Sequence, residues 1–156
     1  MLKNKVFVTG IYGSGKSTFV ENYRYMMPRH TFLSFDKLYG YSGRGKRMDL
    51  VYFALRELDS FVMDALPLGS SEVDWPNFVD FVREEDCSIV IVKCDIDHWY
   101  THHLKNKACF SDASEVQHKQ WFSEFYAGLG ATLTRSFPEK VLNYDSLQDT
   151  LKAPKT

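Results

Sequence analysis

The sequence predicts a single α/β domain built around a mostly parallel β-sheet. Five short apolar runs rich in β-forming residues alternate with stretches whose apolar side chains recur at helical spacing. This alternation is typical of parallel sheets that are covered by helices on both faces. A chain of 156 residues without repeats or linkers is long enough for one hydrophobic core, so we expect residues 1–156 to form one domain.

The first strand and the first helix enclose the most specific motif of the chain. Residues 5–9 form an apolar run that predicts a buried strand. Residues 17–27 carry apolar side chains at helical spacing, and Pro28 supplies a stop. The segment between the two elements fits the pattern G-x-x-x-x-G-K-[S/T] and reads Gly10-Ile11-Tyr12-Gly13-Ser14-Gly15-Lys16-Ser17-Thr18.

The residue types of this motif are those of a loop that holds phosphate. Its glycines let the main chain turn tightly and bring successive N–H groups close to phosphate oxygens. The following helix adds its free N-terminal amides and the positive end of its dipole. Lys16 is expected to reach the β- and γ-phosphates, and the Ser17 hydroxyl to hold Mg²⁺. Residues 10–18 therefore predict a nucleotide phosphate site.

The rest of the chain continues the alternation of strands and helices. The remaining predicted strands are residues 31–35, 61–66, 88–93 and 140–144. Helices are predicted over residues 46–59, from residues 74–76 onward, over residues 116–129 and, as a short terminal helix, from residue 147. The helix that contains Val116 is expected to end at Gly128 or Gly130.

Two carboxylates occupy the carboxyl ends of predicted strands. Asp36 closes the second strand and Asp64 the third, and ligands of parallel α/β sheets gather at these carboxyl ends. Phosphoryl transfer needs one acidic group to orient the acceptor hydroxyl and receive its proton, and another to hold Mg²⁺. The competing explanation for either residue is a cap at the turn after the strand, where Asp is common.

The composition and charge of the chain argue against some classes of binding partner. A formal net charge of −1 with a pI near 6.5 argues against a long nucleic acid as the main ligand, although a local basic groove stays open. The apolar runs are all shorter than a membrane span, and the N-terminus leads directly into the first strand without a signal peptide. We therefore expect a cytoplasmic protein without a membrane partner.

The cysteines favour reduced thiols over disulfides. There are three of them, an odd number, and none forms a C-x-x-C pair. Cys94, His98 and His102 are spaced at i, i+4 and i+8, which on a helix would place all three side chains on one face. A zinc site is the alternative for this trio, but the sequence offers no obvious fourth ligand.

Taken together, the glycine loop, the Asp after the second strand and the number of strands resemble the P-loop kinase group of the P-loop NTPase superfamily. This group includes adenylylsulfate, gluconate and nucleoside monophosphate kinases, and also polynucleotide 5′-hydroxyl kinases. The resemblance covers most of the chain in element order, but only residues 10–18 are specific in sequence. It implies a three-layer P-loop NTPase fold with a five-stranded, mostly parallel sheet in the order 2-3-1-4-5. It also implies ATP and Mg²⁺ as cofactors.

The resemblance also assigns residues on the acceptor side. Lys16 and Asp36 match the group's catalytic lysine and acceptor-side Asp, and Asp64 matches its magnesium-side Asp next to Ser17. Arg44 and Arg47 resemble the basic residues that grip an anionic acceptor. The implied reaction moves the γ-phosphate of ATP to a hydroxyl or phosphate of a small molecule or nucleotide.

The segment expected to form a lid departs from the group. These kinases usually carry arginines there, whereas residues 95–120 contain none. Lys105 and Lys107, or Arg135 from the far side, are the candidates for closing over the phosphate, and a solvated loop is the alternative for the two lysines. Lysine neutralises charge but lacks the planar fork of arginine.

Two further functions stay open. A polynucleotide 5′-hydroxyl kinase would share Asp36 and would need a basic, aromatic-lined groove, one wall of which Tyr39, Tyr41 and the neighbouring arginines supply. A nucleotide-binding switch would need segments that respond to the γ-phosphate, and no motif marks them. The sequence lacks the N-K-x-D guanine signature, so ATP is the default donor.

Overall fold

The computed structural model describes residues 2–35, 48–68, 71–104 and 114–154. These residues form the strands β1 (Lys5–Thr9), β2 (Thr31–Leu33), β3 (Phe61–Met63), β4 (Ser88–Lys93), β5 (Val141–Asp145) and β6 (Thr150–Lys152). The helices are α1 (Lys16–Tyr23), α2 (Met48–Arg56), α3 (Ser71–Glu84), α4 (Ile96–Trp99), α5 (Glu115–Phe125) and α6 (Ala131–Ser136). A 3-10 turn (Arg24–Met26) follows α1, and wide π turns follow α4 (Tyr100–Leu104) and α5 (Tyr126–Gly130).

The strands form one sheet in the order β2-β3-β1-β4-β5-β6. β1 and β2 both pair with β3 in parallel, with Val6 and Phe32 opposite Val62. The predicted α/β class, the parallel-dominated sheet and the order of its first five strands are thereby confirmed. The sixth strand was not predicted, and it pairs with β5 in antiparallel.

Contacts divide the chain into two compact units. The first comprises Met1–Thr9 and Asn22–Val90, and the second Gly10–Glu21 and Ile91–Thr156. In the first unit, Phe7 of β1 packs edge-on against Phe61 and Phe78, with ring centroids 5.4 Å apart in each pair. The expectation of one domain over residues 1–156 stays a prediction.

The second unit has its own buried core around α1 and β5. Phe19 of α1 is fully buried and meets the ring of Tyr144 edge-on at a centroid distance of 5.1 Å. Leu133 of α6 is also fully buried. The helix that opens with the glycine motif is therefore anchored to the sheet by a buried aromatic side chain in its first turn.

The predicted terminal helix is wrong, because a side chain reverses the chain instead. Asp145 Oδ1 accepts hydrogen bonds from the amides of Leu147 and Gln148 at 3.0 and 3.2 Å, which closes a turn. Asp149 then adopts a φ of 52°, in the left-handed region that Asp tolerates better than most residues. The chain returns as β6 along β5.

The predicted helix end at Gly128 or Gly130 is also wrong. The chain stays helical through both glycines, which lie in the π turn after α5, and continues into α6. Among the glycines that the structure describes, those with positive φ are Gly13 and Gly15, so neither helical glycine acts as a left-handed cap. The helix ends at Ser136 instead, two residues before Pro138.

Helix α3 begins earlier than predicted. It starts at Ser71 rather than at residues 74–76, so Pro76 lies inside the helix. Pro76 is the sixth residue of this helix, so the missing N–H removes one i→i−4 hydrogen bond in its second turn. No helix within the described ranges is both long and apolar enough to span a bilayer.

Candidate phosphate-binding site

The segment between β1 and α1 folds as a tight loop. The Ser14 amide donates to the Ile11 carbonyl at 3.0 Å and closes the first turn. Gly13 and Gly15 have φ values of 81° and 108°, in the region that residues with a Cβ rarely adopt. Helix α1 then begins at Lys16. The residues of the glycine motif therefore form a compact loop that opens onto a helix N-terminus.

Two glycines of the loop are also required by close packing. A Cβ at Gly10 would lie 2.5 Å from Ser14 Oγ and 2.9 Å from the Val92 carbonyl oxygen. A Cβ at Gly15 would lie 2.7 Å from the Cβ of Ser146, in the turn between β5 and β6. Any side chain at either glycine would therefore displace the loop from the end of β4 or from this turn.

We expect Gly15→Ala to lower the free energy of unfolding by about 1–3 kcal/mol and to weaken nucleotide binding strongly. The added methyl group would have to occupy both a strained φ and the space of Ser146. Urea unfolding and nucleotide titration of the variant measure the two effects. The matched control is Gly128→Ala, since a Cβ there meets nothing within 4 Å. It should leave binding unchanged and stabilise the helix by about 0.5–1 kcal/mol.

The first turn of α1, at the end of the loop, carries cationic and polar side chains. Lys16 is half-buried and forms no ion pair with any residue that the structure describes. Ser17 and Thr18 are exposed, and the first turn of α1 carries no acidic side chain. The positive end of this helix dipole is therefore not neutralised by its own residues.

Two aromatic side chains form hydrogen bonds with the main chain of the loop and of the neighbouring strand. Trp99 Nε1 donates to the Tyr12 carbonyl at 2.7 Å. The Tyr126 hydroxyl donates to the Val92 carbonyl at 2.6 Å and lies 3.4 Å from the Ile11 amide, which donates to it. Two main-chain groups of the loop, the Ile11 amide and the Tyr12 carbonyl, are therefore hydrogen-bonded by side chains from elsewhere in the second unit.

These two aromatic residues belong to one cluster. The Phe122 ring lies 4.9 Å from the Trp99 ring and 4.8 Å from the Tyr126 ring, between centroids. Ile11 packs against this cluster as well. Burial, the largest cause, raises the pKa of Tyr126 to about 12, so its hydroxyl stays protonated at neutral pH.

The Ser14 hydroxyl is a buried polar group in the same loop. Its residue is 1% exposed, and Oγ forms no hydrogen bond of normal geometry with a described residue, although the Tyr126 hydroxyl lies nearby. A buried hydroxyl without a partner is costly, and a ligand oxygen is one group that would satisfy it. This orphaned group fits a loop that binds an oxygen-rich anion.

Asp64 directly follows β3, as the sequence predicts for the end of a strand. Its carboxylate is exposed, and Oδ1 accepts from the Phe35 amide at 3.2 Å. The Asp64 amide in turn donates to the Leu33 carbonyl at 3.3 Å. The side chain thus caps the chain just beyond β2, one residue before Asp36. Its second carboxylate oxygen is not used by this bond.

Most of the predicted acceptor and lid residues lie outside the described part of the chain. These residues are Asp36, Arg44, Arg47, Lys105 and Lys107. The lid segment is described only in part: residues 96–104 are helical, and α5 begins at Glu115. Arg135 is described, and it is exposed on α6 with its guanidinium 3.4 Å from the Thr132 hydroxyl.

Arg135 lines a cavity of about 670 Å³ in the second unit. Tyr126 and Asp145 line it too, together with two further cations, Lys93 and Lys152. Asp145 is the single carboxylate in this lining and also accepts hydrogen bonds from the turn that follows β5, so the three cations are in excess. Asn143 also lines the cavity, and its buried Oδ1 has no donor among the described residues. The cavity therefore favours a ligand that carries both negative charge and hydrogen-bond donors.

The Cys94, His98 and His102 trio does not assemble as a metal site. The two histidine rings lie 4.3 Å apart between centroids at a tilt of 39°, but Cys94 precedes the start of α4. Burial, followed by Asp95 and Asp145, raises the pKa of the Cys94 thiol to about 11, so it is not a thiolate at neutral pH. In the described ranges, no three metal-ligating side chains converge.

Sequence reasoning missed Trp99, Tyr126 and Ser146 at this site. Tyr126 was interpreted only as an apolar position of a helix, and Trp99 was not singled out. The hydrogen bond between Ile11 and Tyr126 joins residues 115 positions apart, and that between Tyr12 and Trp99 residues 87 positions apart. No local pattern signals such pairings.

No protein-family model and no curated protein matches the sequence. Solved structures do match. Shikimate kinase from Bacteroides thetaiotaomicron has a TM-score of 0.57 at 12% identity over 91% of this chain and 86% of that chain. Shikimate kinase from Acinetobacter baumannii, in complex with shikimate, has a TM-score of 0.53 at 14% identity over 83% and 79%.

A third match extends the comparison to a nucleoside kinase. Deoxyadenosine kinase from M. mycoides, with bound dATP, has a TM-score of 0.52 at 11% identity over 92% of this chain and 91% of that chain. At these identities the likeness shows a shared fold.

Proposed function

We propose that this chain, which has the fold of the P-loop kinases, transfers the γ-phosphate of ATP to a hydroxyl or phosphate of a small molecule or nucleotide, with Mg²⁺. The observation that carries the proposal is the glycine loop. Gly13 and Gly15 adopt left-handed φ values immediately before Lys16 and an α1 N-terminus without acidic residues. That arrangement supports binding of a phosphate chain.

In this proposal, residues 10–18 hold the donor. The amides from Gly13 to Thr18 surround the β-phosphate, and the Lys16 ammonium reaches the β- and γ-phosphates. Lys16 is free for this role, because no described residue pairs with it. The buried Ser14 hydroxyl gains a partner when a phosphate oxygen enters. Such preorganised donors stabilise charge without reorganising during transfer.

The acceptor side of the proposed site consists of Asp36, Arg44 and Arg47. Asp36 orients the acceptor hydroxyl and takes its proton, and the two arginines bind an anionic acceptor. Asp64 supports this assignment, since its carboxylate already fixes the main chain one residue before Asp36.

Ser17 and Asp64 are the residues that would hold Mg²⁺. Both are exposed, and the oxygens of a hydroxyl and a carboxylate are ligands that this hard cation prefers. When bound, the ion neutralises charge that develops on the transferring phosphoryl group. Asp64 keeps one carboxylate oxygen for this purpose while the other caps Phe35.

We place the base and ribose of the donor in the cavity next to the loop. Two lining features favour this place: Tyr126 also hydrogen-bonds Ile11, and Asp145 precedes Ser146, which contacts Gly15. The free Oδ1 of Asn143 would accept from an amino or hydroxyl group there. Arg135 then contacts the nucleotide from the cavity, and Lys105 and Lys107 stay the proposed lid cations.

The proposal predicts slow ATP turnover by the protein alone and a large increase with the right acceptor. A coupled ADP assay with Mg²⁺ is run against nucleosides, nucleotides, sugars, hydroxy acids and 5′-hydroxyl oligonucleotides. EDTA should abolish turnover, since the charge on the transferring group is then unbalanced. Stimulation by one small-molecule class supports the proposal.

Other outcomes of the same screen identify the alternatives. Stimulation only by oligonucleotides, with a steep salt dependence, would indicate a polynucleotide 5′-hydroxyl kinase. Turnover that no acceptor changes, with guanine preference, would indicate a nucleotide-dependent switch. Either result would contradict transfer to a small molecule.

A further inference from the structure

We infer that Tyr126 and Trp99 are positioning residues that hold the glycine loop in its phosphate-binding conformation before a nucleotide arrives. The inference rests on the proposed function, because it concerns the same loop. It assigns a specific role to two side chains that follow β4 in the chain and lie outside the glycine motif. Each forms a hydrogen bond with a main-chain group of the loop.

Trp99 fixes the apex of the loop. Its indole is 2% exposed, and Nε1 donates to the Tyr12 carbonyl at 2.7 Å. The Tyr12 side chain itself is 55% exposed, so the hydrogen bond, and not burial of that side chain, ties the apex to the unit. Trp99 is the last residue of α4, where the helix widens into a π turn. π turns are frequent at functional sites.

Tyr126 fixes the start of the loop. Its hydroxyl donates to the Val92 carbonyl at 2.6 Å, and the Ile11 amide donates to the same oxygen at 3.4 Å, a longer and weaker bond. The Val92 carbonyl is also the group that a Cβ at Gly10 would strike. One phenol thus bridges the end of β4 and the first amide after Gly10.

The two anchors support each other. Phe122 lies between them, with ring centroids 4.9 Å from Trp99 and 4.8 Å from Tyr126, and Ile11 packs on the same cluster. Aromatic side chains packed in this way have few rotamers available. The anchoring hydroxyl and indole therefore keep fixed positions, as a preorganised site requires.

Loss of one anchor should weaken binding without changing the chemistry. The loop contains two left-handed glycines, so without its hydrogen bonds to Trp99 and Tyr126 it can adopt other conformations. A nucleotide would then bind only the fraction of molecules with the right loop, which raises its apparent Kd by the inverse of that fraction. Ground state and transition state use the same loop, so KM should rise while kcat changes little.

The test is Tyr126→Phe, which removes one oxygen atom and keeps the ring. We expect Kd and KM for ATP to rise about 3- to 10-fold, with kcat within about twofold of the unmodified protein. Titration with ATP gives Kd, and steady-state assays separate KM from kcat. An unchanged Kd would overturn the role of Tyr126, as would a loss confined to kcat.

The matched control is Tyr52→Phe. Tyr52 is a buried tyrosine of the first unit, and its hydroxyl donates to the Pro67 carbonyl at 3.0 Å, the same type of acceptor that Tyr126 uses. The Tyr52→Phe variant should lower stability about as much as Tyr126→Phe and leave the Kd for ATP unchanged. If both variants weaken binding equally, the effect is a general loss of stability and the inference fails.

The variant Trp99→Phe tests the other anchor, because it keeps a buried ring and removes the N–H that donates to Tyr12. We expect the Kd for ATP to rise about 3- to 10-fold with little change in kcat. Trp121→Phe, at a position that is 44% exposed, is the control and should leave Kd unchanged. An unchanged Kd in Trp99→Phe would overturn the role of Trp99. If the unmodified protein binds no nucleotide at all, the proposed function itself fails, which is a different result.

Discussion

Replacing Lys16 by alanine is expected to lower the affinity for ATP at least about 10²-fold and to abolish turnover. Lys16 opens α1 and pairs with no described acidic residue, so its charge is available to the phosphates. The substitution leaves the loop amides in place but removes the one ammonium group in the motif. Isothermal titration with ATP and the coupled ADP assay measure the two losses.

The control for Lys16→Ala is an exposed lysine outside the glycine motif. Lys3 forms an exposed ion pair with Asp86 at 3.3 Å, a kind of contact that contributes about 0–1 kcal/mol. Lys3→Ala should keep both affinity and turnover. Full activity of Lys16→Ala would remove the glycine loop from the mechanism, and with it the basis of the proposed function.

The loop was predictable because its requirements are local. A left-handed main chain needs glycine, and the sequence places Gly13 and Gly15 where the structure has φ values of 81° and 108°. β1 and β4 likewise have their predicted bounds. All residues of these two strands are buried except the last residue of β4. The apolar run in the sequence therefore ends where the strand ends.

The parts that sequence reasoning missed depend on contacts between distant residues or on competition between local patterns. The hairpin of β5 and β6 forms because the Asp145 carboxylate accepts hydrogen bonds from two amides of the turn. These bonds outweigh the weak helical spacing of apolar residues from which a terminal helix was predicted. Gly128 was interpreted as a helix end, but the helix passes through it. The anchors Trp99 and Tyr126 are set by tertiary packing alone, so a pattern of apolar positions places them on helices without revealing the hydrogen bonds that they donate.

Replacing Asp36 by asparagine is expected to leave ATP binding intact and to lower phosphoryl transfer by about 10²-fold or more. The amide keeps the size and polarity of the carboxylate but cannot take the proton of an acceptor hydroxyl. Asp36 follows a main-chain position that Asp64 already fixes through the Phe35 amide, so the segment before it should keep its place in the variant. ATP titration and acceptor-dependent ADP release separate binding from transfer.

Two outcomes decide between a base and a cap at this position. A base predicts that transfer falls while the urea midpoint stays nearly constant, whereas a cap predicts a lower midpoint and near-normal transfer per folded molecule. Asp59→Asn, an exposed carboxylate in the turn before β3, should change neither quantity and controls for the loss of one negative charge. Near-normal transfer in Asp36→Asn would rule out Asp36 as the base. Asp64 would then be the remaining carboxylate at this edge to test, because the mechanism requires a group that orients the acceptor oxygen.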